Sequence, residues 1–248
     1  MKTLNGKNKI IKGLLFFILT LNITTMNAQN NINANPTLTA QEQSIVTIAA
    51  LTAVTDLEHL KTELNSGLDA GLTVNEIKEV LVQMYAYCGF PRSLSGIGTF
   101  MTVVAERKAK GIKDAEGKEA SPISDTADKY ERGRKTLEAL TKTPQVKPAP
   151  GFGEFAPRID AFLKEHLFAD IFDSDVLNYQ QRELATIAAL SAMEGVEPQL
   201  QSHLTMGKNT GLTESQLKQA FSIIETHIGT KQAEVANKVL SKMTAGKQ

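Results

Sequence analysis

The sequence predicts an all-α protein built from two tandem helical repeats. Three observations carry that prediction. The pentapeptide TIAAL occurs twice, at Thr47 to Leu51 and at Thr186 to Leu190. Each copy is followed by the same turn signal, Gly71-Leu72-Thr73 and Gly211-Leu212-Thr213. Apolar residues in both stretches recur at helical spacing, and no sustained alternation marks a strand.

The chain starts with a segment expected to lie outside the fold. Lys2, Lys7, Lys9 and Lys12 precede an apolar run from Leu14 to Leu21, and small or polar residues follow to Ala28. A basic start, a short apolar run and a small-residue site read as an export signal over 1–28, cut after Ala28. The run is about half the ~20 residues that a membrane-spanning helix needs. An exported chain, periplasmic or secreted, with no membrane attachment after cleavage is therefore expected. Residues 29–36, QNNINANP, are polar and read as a disordered lead-in.

The first repeat is expected over 37–110. Thr39 with Glu42 three residues later forms a capping-box pattern. The helix it opens carries Ile45, Ile48, Ala49 and Leu51. A second helix carries Leu57, Leu60, Leu64 and Leu68 and stops at Gly71. Thr73 and Glu76 cap a third, with Ile77, Val80, Leu81 and Met84, which breaks at Cys88-Gly89-Phe90-Pro91. A fourth is expected from about Ser93 to Lys110. Residues 111–128 are polar, with Gly, Pro and Ser, and read as a linker.

The second repeat is expected over 129–248. It opens on a helix at Tyr130-Glu131-Arg132-Gly133, followed by an extended loop with three prolines at 142–153. An amphipathic helix is expected from Phe155 to Phe172, burying Ile159, Phe162, Leu163, Leu167 and Ile171. The repeat proper begins near Leu177, and a last helix spans Gln232 to Met243. The TIAAL copies are offset by 139 (186 against 47) and the GLT copies by 140 (211 against 71). One residue is therefore inserted in the turn near Glu194 to Pro198. On this register Ser44 faces Glu183, Gln43 faces Arg182, Glu63 faces His203 and Tyr87 faces His227.

Composition excludes little but usefully. The chain has 248 residues, 42% hydrophobic and 22% charged, with 27 basic against 27 acidic residues. Zero formal charge gives no electrostatic case for nucleic acid. The one cysteine, Cys88, has no partner for an internal disulfide. No metal-ligand cluster or phosphate loop appears.

The second copy concentrates the chemistry. Glu183 opens a helix that is otherwise apolar, and burial of a carboxylate disfavours its charged form, which suits acid–base work. His203 lies on the next helix, which would pack antiparallel and bring both to one pocket, and imidazole moves protons near neutral pH. Arg182 precedes Glu183 as an ion-pair partner or an anion-binding group. The first copy offers Tyr87, Gly89, Phe90, Pro91 and Arg92 as substrate-binding candidates. Glycine before Phe-Pro makes a sharp stop where backbone can approach a ligand, and Arg92 has the forked geometry that grips carboxylates. The competing readings are plain: a helix corner with a solvated arginine, and a core histidine. His59, His166 and His227 are isolated and receive no role. Met84, Met193 and Met206 read as core.

Taken together, Leu177 to Leu184, TIAALSA, Leu200 to Leu204 and Gly211-Leu212-Thr213 resemble the carboxymuconolactone decarboxylase family. Tyr85 to Pro91 is similar to that family's Y-x-G-x-P signature. The resemblance implies all-α subunits that form homo-oligomers, with a fused pair suggesting a trimer. It implies cofactor-free decarboxylation of, or proton transfer on, a small carboxylated lactone or related acid. A related branch, alkylhydroperoxidase D-like proteins, reduces hydroperoxides with a C-x-x-C-x-x-x-H motif. Carried over, that motif places its histidine on His203, its acid on Glu183 and its two thiols on Val196 and Gln199. In the first copy the thiol positions fall on Asp56 and His59, with Glu63 at the histidine. Neither copy has a thiol there, so the resemblance favours the decarboxylase-like reading, with peroxiredoxin activity or a non-catalytic binding role as alternatives.

Overall fold

The computed structural model describes residues 37–245, with the side chains of 244 and 245 excepted. The expected export segment and the lead-in lie outside the described residues. The described residues are helical, with no strand among them.

Four helices make the first repeat: α1 (Ala40–Val54), α2 (Leu57–Asp69), α3 (Val74–Cys88) and α4 (Phe90–Ala109). Thr39 and Thr73 cap α1 and α3 through complete capping boxes with Glu42 and Glu76. Helix α4 starts three residues before the expected Ser93. Gly89 adopts a φ of 86°, which turns the chain sharply, and Pro91 sits in the first turn, where its missing N–H costs nothing. The segment after α4 has no regular structure, but it is tied down. Ala115 and Glu116 accept backbone hydrogen bonds from Val74 and Asn75 at the start of α3.

Helix α5 (Lys129–Thr141) follows, then two short helices, α6 (Phe152–Phe155) and α7 (Pro157–Ala161), and a π-helix (Phe162–Ile171). The second repeat is then α8 (Tyr179–Ala192), α9 (Glu197–Asn209), α10 (Glu214–His227) and α11 (Thr230–Ala245). Asn178 and Thr213 cap α8 and α10 by the same device as in the first repeat.

The repeats share one core. Helices α1 and α8 pack against each other at its centre, and both are buried on every side: Ser44 to Ala53 in α1, Arg182 to Ala192 in α8. A helix that is apolar all round must be enclosed, and the alanines of TIAAL let the two backbones approach. The other helices of both repeats complete a single apolar cluster around this pair. Among the described residues no helix is long and apolar enough to cross a membrane.

The 155–172 segment corrects the sequence reading. A single helix burying Ile159, Phe162, Leu163, Leu167 and Ile171 was expected. Ile159 and Phe162 are instead 44% and 55% exposed, and only Ile171 of the five is fully buried. The buried positions are Asp160, Lys164, Phe168, Ala169, Ile171 and Phe172, among which Asp160, Lys164, Phe168 and Phe172 recur at every fourth residue. The wider turn of a π-helix explains this, because its hydrogen bonds run to the fifth residue rather than the fourth. The turn carries Asp160 and Lys164 inward, leaves Ile159 and Phe162 exposed, and keeps Leu163 and Leu167 half-buried against a second apolar cluster.

Lys164 and Asp160 are held as a network beneath α5. Lys164 Nζ donates to Asp160 Oδ1 at 2.6 Å and lies 3.0 Å from the Tyr130 hydroxyl, which in turn donates to Asp160 Oδ2 at 2.6 Å. Burial opposes the charge on both. Lys164 and Tyr130 nevertheless hold Asp160 below the ordinary carboxylate value, and Asp160 holds Lys164 above the ordinary lysine value.

Candidate active site

Helix α9 crosses α8 closely because Gly207 has no side chain. A Cβ there would lie 2.8 Å from Ile187 Cδ1, 3.0 Å from Leu212 Cδ1 and 3.8 Å from Glu183 Cβ. Gly67 makes the equivalent approach in the first repeat, to Ile48, Leu72 and Ser44. The internal register of the sequence is thus reproduced in space, with Ser44 standing where Glu183 stands.

This approach seats the acid and the histidine together. Glu183 Oε2 lies 2.8 Å from His203 Nδ1, and both residues are buried. With Nδ1 committed to a carboxylate, the nitrogen left to act is Nε2. Tyr87, from the first repeat, meets the imidazole edge-on at 5.3 Å between ring centres. Among the described residues, Tyr87 Oη and Glu183 Oε1 have no hydrogen-bond partner. Burial and then the neighbouring Glu183 push the Tyr87 hydroxyl pKa up. The nearby Thr186 hydroxyl opposes that shift only in part, without a well-formed hydrogen bond.

His203 and Tyr87 line a cavity of about 820 Å³. Three parts of the chain build it. The first repeat gives Tyr85, Ala86, Tyr87 and Phe90, and the second gives Leu190, Val196, Gln199 and His203. The segment around the π-helix gives the misread apolar stripe, Ile159, Phe162, Leu163 and Leu167. Tyr85 stacks on Phe90 at 4.4 Å and tilts against His166 at 5.3 Å. His166 also lines the cavity, with Nδ1 3.1 Å from Asp170 Oδ2. The sequence signal for this second pair was a histidine and an acid four apart, too common to single out.

The other expected site residues lie elsewhere. Arg182 is fully buried and turned to the first repeat. It donates to Gln83 Oε1 at 2.9 Å, Glu79 Oε2 at 2.9 Å and the Ser174 carbonyl at 2.7 Å. Gln83 returns a bond to the Arg182 carbonyl, so this arginine fastens α8 to α3. Gly89 and Pro91 form the corner without lining the cavity. Arg92 is exposed and points to Met193 Sδ at 3.7 Å. Cys88 also stands off the cavity. Its thiol donates to the Met84 carbonyl at 3.1 Å, and burial pushes its pKa up, although Arg92 opposes this. Among the described residues no group of three or more His, Cys, Asp or Glu side chains is placed to hold a metal.

Comparison with known proteins gives one finding. The profile of the carboxymuconolactone decarboxylase family matches the chain twice, over residues 22–98 and 157–242. No curated protein matches it.

Proposed function

The chain belongs to the carboxymuconolactone decarboxylase family, and from that premise we propose that it is a cofactor-free acid–base enzyme that moves a proton on a small organic substrate. The observation that carries this reading is the Glu183–His203 pair at the wall of an apolar cavity completed by both repeats. Glu183 fixes the imidazole so that Nε2 takes or delivers the proton. In a decarboxylation, His203 protonates the carbon left by carbon dioxide; in an isomerisation, it removes a proton from carbon. Tyr87 closes over the imidazole and excludes water.

Thiol peroxidase chemistry fits less well. Val196 and Gln199 occupy the thiol positions of the related branch, and they do line the cavity, but neither is a nucleophile. A thiolate is required there, and the half-buried Cys88 does not line the cavity. Export with cleavage after Ala28 and assembly as a trimer are proposed on sequence grounds alone; sedimentation measures the latter.

A test independent of the natural substrate is elimination of 5-nitrobenzisoxazole, a neutral molecule opened to a coloured phenolate when a base removes its carbon-bound proton. His203→Ala is expected to slow it by about 10²-fold, the usual contribution of a general base. Equal turnover in wild type and His203→Ala would refute the role given to His203.

A further inference from the structure

We propose that the cavity takes a neutral, largely apolar substrate of drug-like size, and not the small carboxylated acid that the family resemblance implies, so that of the two reactions above the isomerisation applies and the decarboxylation does not. The inference rests on reading this cavity as the reaction site. Its first support is charge. The side chains able to grip a carboxylate are committed or absent. Arg182 is fully buried and engaged by Gln83, Glu79 and Ser174, and Arg92 does not line the cavity. Among the described residues Lys129 is the one lysine or arginine lining it, and its Nζ lies 2.8 Å from Asp170 Oδ1. Glu165 and Asp170 both line the cavity, and Glu183 stands directly behind His203. The wall is therefore acidic on balance, and an anion entering it meets no unpaired cation among the described residues to offset its lost water.

The second support is size and surface. A cavity of about 820 Å³ falls in the upper part of the ~300–1,000 Å³ range of sites for drug-sized ligands, which are mostly apolar with few polar groups. Here the walls are aromatic and aliphatic. The polar side chains stand at the margins of these walls: Gln199 and His203 on α9, Glu165, His166 and Asp170 on the π-helix, and Lys129 on α5. A neutral ring system with a carbonyl or hydroxyl fits this distribution. The exposed apolar stripe of the π-helix supplies the contact area that such a molecule needs.

A matched ligand pair tests the proposal: methyl 2-naphthoate and 2-naphthoate, the same skeleton without and with a negative charge. Both would be titrated into the full protein at neutral pH, following affinity by calorimetry and the imidazole signals by NMR. The ester is expected to bind at least about tenfold more tightly than the acid and to shift the His203 resonance. Gln199→Arg places a cation on an exposed position of the cavity wall and is expected to reverse the preference. Acid binding as tight as the ester in the wild type would overturn the substrate class. Binding of the ester that leaves the His203 signal unmoved, or no binding of either ligand, would overturn the cavity itself as the site and the substrate class with it. Loss of the kinetic role of His203 is read separately, from 5-nitrobenzisoxazole turnover.

Discussion

Gly133→Ala is the sharpest test of how the cavity wall is held. Helix α5 meets the π-helix at this residue, and an added Cβ would lie 1.7 Å from the backbone oxygen of Lys164 and 2.5 Å from its carbonyl carbon. Real Cβ atoms do not approach closer than 3.0 Å, so the two elements must separate by at least 1.3 Å (3.0 less 1.7). The obstacle is backbone and cannot rotate away. The same movement stretches the 2.6 Å Tyr130–Asp160 bond and the 3.0 Å Lys164–Tyr130 bond past hydrogen-bond reach. Overpacking costs about 1–3 kcal/mol, and breaking hydrogen bonds to buried charges costs about 1.5–3 kcal/mol more. A total of about 2.5–6 kcal/mol corresponds to a fall in Tm of roughly 5–24 °C, at about 2–4 °C per kcal/mol for a chain of this size. Gly98→Ala is the matched control. Gly98 is exposed in α4 with nothing within 4 Å of its would-be Cβ, so alanine there is expected to stabilise by about 0.5–1 kcal/mol. Thermal unfolding followed by circular dichroism reads both. A loss below about 1 kcal/mol in Gly133→Ala would refute the close packing of α5 on the π-helix, since even mild overpacking exceeds that.

Other expected outcomes can be checked on the same protein. Gly207→Ala is expected to destabilise by about 1–3 kcal/mol and Gly67→Ala by less, since the nearest contacts are 2.8 Å and 3.2 Å; urea unfolding compares them. Asp160→Asn strands the buried Lys164 ammonium and is expected to cost about 3–5 kcal/mol. Asp160 is held below its ordinary value, so its contribution is present above about pH 4 and is lost as pH falls through the depressed folded value. Lys164 is held above its ordinary value, so its contribution persists below about pH 10 and is lost as pH rises through the raised one. Urea midpoints across pH are therefore expected to form a plateau between those limits. Cys88→Ser is expected to leave 5-nitrobenzisoxazole turnover unchanged, and Cys88 is expected to react with a thiol reagent more slowly than free cysteine, because burial disfavours its thiolate.

Where the sequence carries a local mechanism, it was readable. Thr39, Thr73 and Gly89 each dictate a backbone event through their own chemistry, and the structure has a cap or a break at each. The repeat was readable because the TIAAL and Gly-Leu-Thr copies keep register, and Gly67 and Gly207 make the same close contact in both. Failures came where the helix period itself changed. The stripe Ile159, Phe162, Leu163 and Leu167 looks like a core face only at 3.6 residues per turn, and nothing local announces a π-helix. Arg182 shows a different limit. It is adjacent to Glu183 in sequence, but neighbours on an α-helix point about 100° apart. If Glu183 faces α9, Arg182 faces α3, and one pocket cannot hold both.

The two copies therefore differ in kind, and the fusion explains why they are free to. Each repeat keeps the same close crossing of its first two helices, but only the second carries an acid and a histidine there; the first has Ser44 and Glu63. Conversely, the Gly89 corner that follows Tyr85 and Tyr87 belongs to the first copy, where the second has Ile228-Gly229-Thr230. The proposed site takes its acid–histidine pair from one copy and Tyr85, Tyr87 and Phe90 from the other. In an assembly of identical subunits, one sequence must supply both at every interface. In a fused chain each half needs to satisfy only one demand, and the 142–178 segment between them is free to become a third wall. Its inverted stripe, with charge turned inward and apolar side chains turned to the cavity, has no counterpart in the first repeat. Specificity for the substrate is thus expected to reside mainly in the π-helix, and the chemistry in α8 and α9.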